Sequence, residues 1–428
     1  MILRMNVYKS RICDKILAAE LQGAGAVVIE GAKWCGKTTT AEQAARSVIY
    51  IDEPGKLETN LLLSTTKPER LLDGDSPRLV DEWQMIPALW DAIRYRCDHS
   101  NLGGYILTGS SVPPDSNEIK HSGAGRFSWI RMRPMSLWES GESSGEVSLA
   151  ELFNGVDKSG AAAKKPDLEE TAFMLCRGGW PAACDLKGDI ALNRAFSYLD
   201  AVVKSDISRV DGVRRDETRA RRLLRSYARL QGTQATAAVI KADLAENEPR
   251  AFSEETVCSY VNALKRIFVI EDMAAWCPNL RTKAVIRTSN TRYFTDPSVA
   301  AAALGVGPED LMNDVKTFGL LFETMAVRDL RVYAQALNGT VSHYLDASGL
   351  ECDSVVHLRN GRYGLVEIKL GGDALIEKGV RTLCSLANRI DTVRMKPPSF
   401  MMVLTATGEY AYTRPDGVIV CPLSALRP

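Results

Sequence analysis

The stretch GAKWCGKT, residues 31–38, constrains the fold of this chain more than any other. It has a glycine, four residues, a second glycine, a lysine and a threonine. The apolar run AVVI precedes it, and TTAEQAARSV, which has helical character, follows it. A strand, a glycine-containing loop and a helix in this order form a cradle whose backbone N–H groups point at phosphate oxygens. The pattern therefore predicts a nucleotide-binding P-loop in an α/β domain.

Each part of this loop has an expected role. Lys37 is expected to reach the β- and γ-phosphates of the nucleotide, and Thr38 is expected to hold Mg²⁺. The predicted nucleotide-contacting set is Gly31, Ala32, Lys33, Trp34, Cys35, Gly36, Lys37, Thr38 and Thr39. The alternative is a turn that matches the pattern by coincidence.

Phosphate chemistry also needs an acidic group at the end of another strand, and PRLVDEWQ, residues 77–84, supplies one. Asp81 and Glu82 follow two strand-like apolar residues, and ligands of open α/β sheets bind at such carboxyl ends. We predict that Asp81 positions Mg²⁺ through water and that Glu82 polarises the attacking water. The alternative is a solvated strand end.

Further polar residues are candidates for contact with a bound phosphate. ILTGSS, residues 106–111, ends another strand, so a hydroxyl of Thr108 or Ser110 could reach the γ-phosphate; a simple strand-end turn is the alternative. Arg126 follows a glycine-containing loop and could stabilise charge on the transferring phosphoryl group, in its own or a neighbouring subunit. An ordinary surface arginine is the alternative for this residue.

The C-terminal part carries a second acidic pattern. Asp353 opens an apolar strand, and Glu367 and Lys369 lie two residues apart on the next strand, which puts them on one face. Glu323 lies upstream in a helical segment. Carboxylates are hard ligands suited to Mg²⁺ or Mn²⁺, and Lys369 could activate a water. The acid-x-lysine pattern recurs at 118–120, 185–187 and 314–316, so only its strand context distinguishes the tripeptide at 367–369.

Composition limits the classes of function without choosing one. The 428 residues carry a net charge of +0, so any nucleic-acid surface must be local. Ten cysteines without a CxxC pair indicate free thiols in a reducing cytosol, and hence a cytoplasmic protein. Four histidines argue against a histidine-based metal site. Since no apolar run approaches the ~20 residues of a membrane span, we expect no membrane partner.

The order of patterns along the chain predicts several domains. Alternating strands and helices at the start predict a parallel sheet with helices on both faces. Residues 142–167 are rich in Ser, Gly, Ala and Lys, which indicates a linker or exposed loop near a domain boundary. Helical patterns dominate 168–266, and two short strands around a turn follow them. Helices followed by a hairpin suggest a winged helix.

Basic residues of the winged-helix region could contact a nucleic-acid backbone without reading its sequence. They are Lys265, Arg266, Arg281, Lys283, Arg287 and Arg292. Nearby acidic residues dilute this charge, so we favour an intramolecular clamp over a DNA- or RNA-binding surface. We interpret RGGW, residues 177–180, as a tight packing turn.

Taken together, GAKWCGKTT, LVDEWQ, ILTGSS and GAGRF…RMRPMSLWES resemble the prokaryotic AAA+-type P-loop ATPases that carry a C-terminal domain of unknown function. CRGGWPAA, YLDAVVKSDI and FVIEDMAAWCPNLRT resemble that family too, so the resemblance covers nearly the whole chain. Cys35, after Trp34, stands where the family usually has a small residue, a tolerable variant. The resemblance implies ATP as the nucleotide, a helical lid, a winged-helix segment and a nuclease-like tail.

The set of Glu323, Asp353, Glu367 and Lys369 likewise resembles the PD-(D/E)XK nuclease core. The expected fold is a P-loop sheet, a helical and winged-helix region, and an α/β restriction-endonuclease-like domain. The predicted domains are 1–141 for the AAA+-type P-loop ATPase, 142–215 for a linker and helical lid, 216–304 for the winged-helix-like part, and 305–428 for the nuclease-like part.

The leading functional hypothesis is an ATP-driven switch in which hydrolysis rearranges the lid and controls a metal-dependent nuclease-like module. Its candidate partners are ATP, DNA or RNA, and further copies of the chain. One alternative is a nucleotide-switched scaffold whose nuclease-like domain is inactive and binds a partner. Another is a metal-dependent nuclease whose P-loop has a structural role, but a complete set of Lys37, Asp81 and Glu82 argues against it.

Overall fold

The computed structural model describes residues 8–99, 102–111, 123–246, 252–278, 289–393 and 395–428. The chain divides into two compact units. The first comprises Met1–Pro134, Ser205–Arg214 and Ala263–Phe268, and the second comprises Met135–Lys204, Arg215–Asn262 and Val269–Pro428. Within the described ranges, no helix combines the length and apolar character that crossing a membrane requires.

The first unit alternates strands and helices along the chain. Its elements up to Pro134 are α1 (Ile12–Gly23), β1 (Ala26–Glu30), α2 (Lys37–Ala44), β2 (Ser47–Tyr50), α3 (Leu57–Thr66), β3 (Arg78–Asp81), α4 (Ala88–His99), β4 (Tyr105–Gly109) and β5 (Phe127–Arg131). Short 3₁₀ turns lie at Pro68–Leu71 and Trp83–Met85. These five strands of the described chain form one sheet in the order β2-β3-β4-β1-β5, and all neighbours are parallel. The predicted parallel α/β sheet is therefore confirmed.

The sheet register determines which polar residues meet at its carboxyl edge. Thr108 on β4 pairs with Ile29 on β1 on one side and with Asp81 on β3 on the other. The first glycine-containing loop follows β1 directly, so it leaves the sheet next to Thr108. Strand β1 is fully buried from Ala26 to Ile29, which explains its unbroken apolar sequence.

Helices make up most of the chain between the two sheets. They are α5 (Leu137–Ser140), α6 (Leu149–Phe153), α7 (Leu168–Arg177), α8 (Pro181–Cys184), α9 (Gly188–Ala201), α10 (Ile207–Arg209), α11 (Glu217–Arg229), α12 (Ala237–Ala245), α13 (Glu254–Arg266), α14 (Pro297–Leu304), α15 (Pro308–Asn313) and α16 (Val315–Ala336). A π-helical segment, Val202–Asp206, lies between α9 and α10. The two-residue strand β6 (Val147–Ser148) precedes α6.

The first strand of the predicted winged-helix hairpin, within residues 281–288, lies outside the described residues, and the residues after its predicted turn pair with 270–273 instead. Antiparallel bridges join Ile270 to Phe294 and Met273 to Thr291. Its basic residues Arg281, Lys283 and Arg287 lie outside the described residues. Arg292 donates to the carboxylate of Asp272 and to the carbonyl of Ala235, so it contributes to local packing. The winged-helix assignment itself stays a prediction.

The second sheet lies in the C-terminal part of the chain. Its elements are β7 (Gly339–Leu345), β8 (Glu351–Leu358), β9 (Tyr363–Lys369), α17 (Asp373–Arg389), β10 (Phe400–Thr405), β11 (Tyr412–Thr413) and β12 (Val418–Pro422). Among the described residues, six strands pair in the order β11-β12-β10-β9-β8-β7. The sheet is mixed, because β9, β10 and β12 are parallel while β7 and β8 are antiparallel to their neighbours. Helix α17 packs on β9 and β10 and covers an apolar core.

Residues 142–167 include a mostly exposed stretch from 154 onward, together with residues that pair with 410–427. Strand β6 pairs in parallel with β13 (Leu426–Arg427), and the Ser144 N–H donates to the Ser424 carbonyl at 2.8 Å. Ala162 forms a further bridge to Tyr410. Small side chains here permit two backbones to lie against each other, which composition alone does not distinguish from flexibility. The two compact units first meet in the sequence at Pro134–Met135, and the predicted domain bounds stay predictions.

The RGGW turn is a close backbone contact within the second unit. The Met135 N–H donates to the Gly179 carbonyl at 2.6 Å, and the Gly179 N–H donates to Asp296 at 3.0 Å. A Cβ on Gly179 would lie only 2.1 Å from the Met135 oxygen. Arg328, whose side chain is 2% exposed, completes the contact by pairing with Asp296 at 2.8 Å. The turn therefore requires glycine for packing.

Replacing Gly179 by alanine should lower the free energy of unfolding of the second unit by about 1–3 kcal/mol, because the methyl group forces two backbone segments apart. The matched control is Gly319→Ala in helix α16, where the nearest atom to the new Cβ is Leu370 Cδ1 at 3.9 Å. This control should raise the stability by roughly 0.5–1 kcal/mol. Denaturant unfolding measures both variants, and equal midpoints would contradict the packing role.

Candidate functional site

The P-loop lies between β1 and α2, and its two glycines have separate steric reasons. A Cβ on Gly31 would lie 2.0 Å from the Met132 carbonyl oxygen, so a side chain is excluded there. Gly36 caps α2 with φ 100°, a left-handed conformation that favours glycine. Trp34 also has positive φ, 66°, and its side chain is 50% exposed. The sequence pattern thus corresponds to a loop that curls around its own backbone.

Buried cations hold the loop in shape. Arg11, which precedes α1, donates to the Cys35 carbonyl at 2.7 Å and to the Arg133 carbonyl at 2.8 Å. The Cys35 thiol contacts the Met132 carbonyl at 3.6 Å. Lys37 is only 6% exposed, and its Nζ donates to the Ala32 carbonyl at 2.8 Å. The predicted phosphate-binding ammonium therefore lies within the loop, bound to a weak neutral acceptor that an anion can replace.

Asp81 lies beside this loop, at the end of β3. Its Oδ1 accepts a hydrogen bond from Thr38 at 2.9 Å and another from Thr108. Burial raises the pKa of Asp81, while the Thr108 and Thr38 hydroxyls act in the opposite direction. The structure thus brings the two predicted Mg²⁺ residues of this site, Thr38 and Asp81, into direct contact. A hydroxyl and a carboxylate are hard oxygen donors, so these residues fit Mg²⁺.

Glu82 adopts a left-handed backbone conformation, with φ 54° and ψ 40°. Such a conformation costs a residue with a Cβ roughly 1–3 kcal/mol and is found mostly at functional positions. The Glu82 Oε2 accepts from the Ser110 hydroxyl at 3.0 Å and from the Gln84 amide. Ser110 therefore contacts the predicted water-polarising carboxylate; its γ-phosphate contact stays a prediction. Sequence reasoning missed Gln84, although it lies in the DEWQ motif.

Arg126 lies at the opposite edge of the sheet from the P-loop. It immediately precedes β5, and its carbonyl accepts from the Gly25 N–H at the start of β1, whereas the loop follows the end of β1. Five residues of strand separate these edges by about 16 Å. The guanidinium pairs with Asp98 at 2.7 Å and lowers the pKa of that carboxyl. A role at the phosphate of its own subunit does not fit this geometry, so only the neighbouring-subunit role stays a prediction.

Lys33 connects the P-loop to a distant part of the sequence. Its Nζ pairs with Asp206 Oδ1 at 2.6 Å, across 173 positions of the chain. Asp206 ends the π-helical segment, and both residues belong to the first unit. Single π turns inside helices occur frequently at functional sites. Sequence spacing gave no signal for this ion pair.

The C-terminal cluster is built on β8 and β9. The pairing of Ser354 with Val366 places Asp353 opposite Glu367. The Lys369 Nζ lies between the two carboxylates, 2.8 Å from Asp353 Oδ2 and 2.7 Å from Glu367 Oε2. Asp353 Oδ2 also accepts the Ile368 N–H at 2.7 Å. Three of the four predicted residues are therefore in direct contact.

Glu323 on α16 joins this cluster electrostatically. Burial raises its pKa most, and the negative charge of Asp353 raises it further, while Lys369 lowers it. Burial and the charge of Asp353 raise the pKa of Glu367 in the same way. Burial disfavours the charged form of Lys369, yet the two carboxylates beside it outweigh this and raise its pKa. The four residues thus share one electrostatic environment.

Tyr293, which sequence reasoning missed, fixes the Glu323 side chain. Its hydroxyl donates to Glu323 Oε1, and the ring is fully buried. Asp353 and Glu367 are oxygen donors that fit Mg²⁺ or Mn²⁺ in chemical type. Within the part of the chain that the structure describes, however, no three acidic, histidine or cysteine side chains are close enough to hold a metal together. In this arrangement Lys369 occupies the space between the carboxylates.

Three family profiles match successive parts of the chain. The family described as an AAA domain matches residues 24–140. Two domains of unknown function, DUF8612 and DUF4143, match residues 168–310 and 318–426. Among curated proteins, no sequence matches this chain.

Solved structures give weaker similarities. The Walker-type ATPase PABY2304 of Pyrococcus abyssi is 17% identical, over 70% of this chain and 97% of its own, with a TM-score of 0.43. A STAND protein with a tetratricopeptide repeat sensor, PH0952 from Pyrococcus horikoshii, is 14% identical, over 78% of this chain and 50% of its own, with a TM-score of 0.24. The Aeropyrum pernix ORC1 protein, solved with DNA, is 14% identical, over 70% and 93%, with a TM-score of 0.23.

The AAA-domain match agrees with the geometry of the residues that it covers. That match spans the P-loop, the Asp81–Glu82 pair and strand β4, the parts that meet at the carboxyl edge of the first sheet. Together they support a P-loop protein of the AAA-type ATPase class.

Proposed function

We propose that this protein is an ATP-hydrolysing switch whose nucleotide state controls the C-terminal carboxylate–lysine cluster. The observation that carries the first part is the convergence of Lys37, Thr38, Asp81 and Glu82 at one sheet edge. These residue types supply a phosphate-binding cation, oxygen donors for a metal and a general base. The second part rests on the separate C-terminal cluster and on the linkage of Lys33 to Asp206.

In the proposed reaction, the loop N–H groups bind the phosphates, and Lys37 exchanges the Ala32 carbonyl for a phosphate oxygen. Thr38 and Asp81 would hold Mg²⁺, which neutralises charge between the β- and γ-phosphates when bound. Glu82 accepts a proton from the water that attacks the γ-phosphorus. The bond from the γ-phosphorus to the β–γ bridging oxygen then breaks, and ADP and phosphate are released.

Lys33 provides a route from nucleotide to conformation. A triphosphate in the loop competes with Asp206 for the Lys33 ammonium, since both are anionic acceptors. The two nucleotide states therefore differ in whether Asp206 keeps its ion pair, and such a differential contact is what shifts a conformational equilibrium. The chain crosses from the second unit back to the first at Lys204–Ser205, immediately before Asp206.

At the C-terminal cluster, the proposed chemistry is metal-dependent cleavage of DNA or RNA. Asp353 and Glu367, supported by Glu323, would hold Mg²⁺ or Mn²⁺, which activates a water and stabilises phosphorane charge when bound. Lys369 leaves its bridge between the carboxylates and stabilises the negative charge that develops on the phosphate. Self-association is part of the proposal only through Arg126, which would have to act on a neighbouring subunit.

A second candidate function is a nucleotide-switched scaffold with an inactive C-terminal domain that binds a partner. The observation that favours it is the bridge of Lys369 to both carboxylates, at 2.8 and 2.7 Å. Such an internal ion pair offsets part of the negative charge of the cluster without a metal. Cleavage assays separate the two candidates.

Glu82→Gln should lower the turnover number for ATP by at least about 100-fold, because the amide cannot accept a proton from water. ATP affinity should stay near that of the parent protein, since the phosphate-binding loop is unchanged. Steady-state phosphate release and calorimetric ATP binding measure the two quantities. The matched control is Glu58→Gln on the exposed face of α3, which should behave as the parent. Unchanged turnover in Glu82→Gln would remove Glu82 from the mechanism.

Lys369→Ala should abolish cleavage of linear, nicked, single-stranded or structured nucleic acids in Mg²⁺ or Mn²⁺, with ATP present or absent. The lysine supplies the positive charge opposite the scissile phosphate, whereas ATP turnover belongs to the other unit and should persist. Lys378→Ala, at an exposed position on α17, is the control and should cleave normally. If the parent cleaves none of these substrates, the scaffold function is supported instead.

Tyr293→Phe should weaken Mn²⁺ binding by about tenfold, because the carboxylate of Glu323 loses the hydroxyl that orients it. Calorimetric titration without nucleotide isolates the C-terminal site. Tyr363→Phe is the matched control, since this buried hydroxyl donates to the Lys396 carbonyl, away from the cluster. Equal Mn²⁺ affinity in the two variants would show that Tyr293 has only a packing role.

A further inference from the structure

Gln84 is placed to act on the carboxylate of Glu82, although no role at the P-loop site has been assigned to it. Its Nε2 donates to Glu82 Oε2, and the Ser110 hydroxyl donates to the same oxygen at 3.0 Å. Within the described residues, both donors to this carboxylate converge on Oε2. Glu82 Oε1 is therefore the oxygen left to accept a proton from water.

The orientation of the Gln84 amide follows from the charge that it faces. A carboxylate accepts hydrogen bonds only, so the amide must present its NH₂ group to Glu82. Its own Oε1 is then directed elsewhere, and it is buried without a hydrogen-bond partner in the described part of the chain. Leaving a buried acceptor unpaired costs stability, so its retention calls for a functional explanation.

The surrounding residues make room for this amide. A Cβ on Gly109 would lie 2.7 Å from Gln84 Oε1 and 3.2 Å from Trp83 Nε1, so a side chain at the end of β4 would displace the Gln84 amide. Trp83 is 4% exposed and stacks on Trp90 with ring centroids 4.9 Å apart, which anchors the 3₁₀ turn that carries Gln84. Gly109 of ILTGSS and Trp83 of DEWQ thereby both help to position the Gln84 amide against Glu82.

We propose that Gln84 is a positioning residue that fixes Glu82 with Oε1 available to the attacking water. This inference rests on the proposed ATP hydrolysis and deepens it. Gln84 stabilises the left-handed turn at Glu82 through its side chain, and it holds the carboxylate in one rotamer. It does not contact the nucleotide in this role, so it affects turnover without affecting nucleotide affinity.

Gln84→Met tests the proposal, because methionine keeps the length and volume of glutamine but cannot donate a hydrogen bond. We expect the turnover number to fall about tenfold or more, while ATP affinity stays within about twofold of the parent. Gln22→Met, at an exposed position on α1, is the control and should match the parent in both quantities. The same substitution should have no further effect on turnover when Glu82 is already glutamine, since Gln84 acts through that carboxylate.

Parental turnover in Gln84→Met, or an equal fractional loss in the Glu82→Gln background, would overturn the inference while leaving ATP hydrolysis intact. A loss of ATP affinity that parallels the loss of turnover would also overturn it, because that result indicates a distorted loop. A parent protein without ATP turnover would overturn the proposed function and this inference with it.

Discussion

The pairing of Thr108 with its two neighbours determines the chemistry of the first unit. Because β4 lies between β1 and β3 in a parallel sheet, its last residues are adjacent both to the P-loop and to the acidic motif. Thr108 uses that position to donate to Asp81, and Asp81 in turn accepts from Thr38 in the loop. A chain of hydrogen bonds thus connects β4, β3 and the start of α2. It pre-organises oxygen donors where a triphosphate and its metal would have to be held.

The C-terminal cluster follows a different electrostatic principle. Burial raises the pKa of Glu367, and repulsion from the neighbouring carboxylate of Asp353 raises it further. Lys369 relieves this repulsion by bridging the two carboxylates. Any metal that binds must displace the ammonium, and the affinity for metal is reduced by the strength of that ion pair. The domain therefore combines the residue set of a metal site with an internal cation that competes for it.

Local patterns in the sequence were sufficient for the P-loop, the Asp81–Glu82 pair and the parallel sheet, since each depends on residues close together in the chain. The position of Arg126 relative to the P-loop could not be predicted from local sequence patterns. Its glycine-containing loop resembled an active-site loop. A residue that directly precedes a parallel strand, however, lies at the amino edge of the sheet, and local residue spacing does not reveal this position. Lys33 and Asp206 meet across 173 positions, which no periodicity reveals.

Segment 142–167 shows a second limit of composition, because its serines and glycines are typical of both exposed loops and tightly apposed backbones. In the C-terminal cluster, the strand pattern placed Asp353, Glu367 and Lys369 correctly on adjacent strands. It gave no sign of Tyr293, whose hydroxyl reaches Glu323 from a segment 30 positions earlier. Gln84 could not be recognised in the sequence for another reason. An amide side chain in a short turn can have many ordinary roles, and only the contact with Glu82 distinguishes Gln84 from other such amides.

The pairing of β6 with β13 has a consequence for the order in which the chain can acquire its structure. The Ser148 hydroxyl donates to the Pro428 carbonyl at 2.8 Å, across 280 positions. Residues 143–148 therefore leave the ribosome long before their partners exist and stay without them until synthesis has passed the second sheet. Contacts of such sequence separation form late and slowly. The fold of the second unit can therefore be completed only after residues 426–428 have been synthesised.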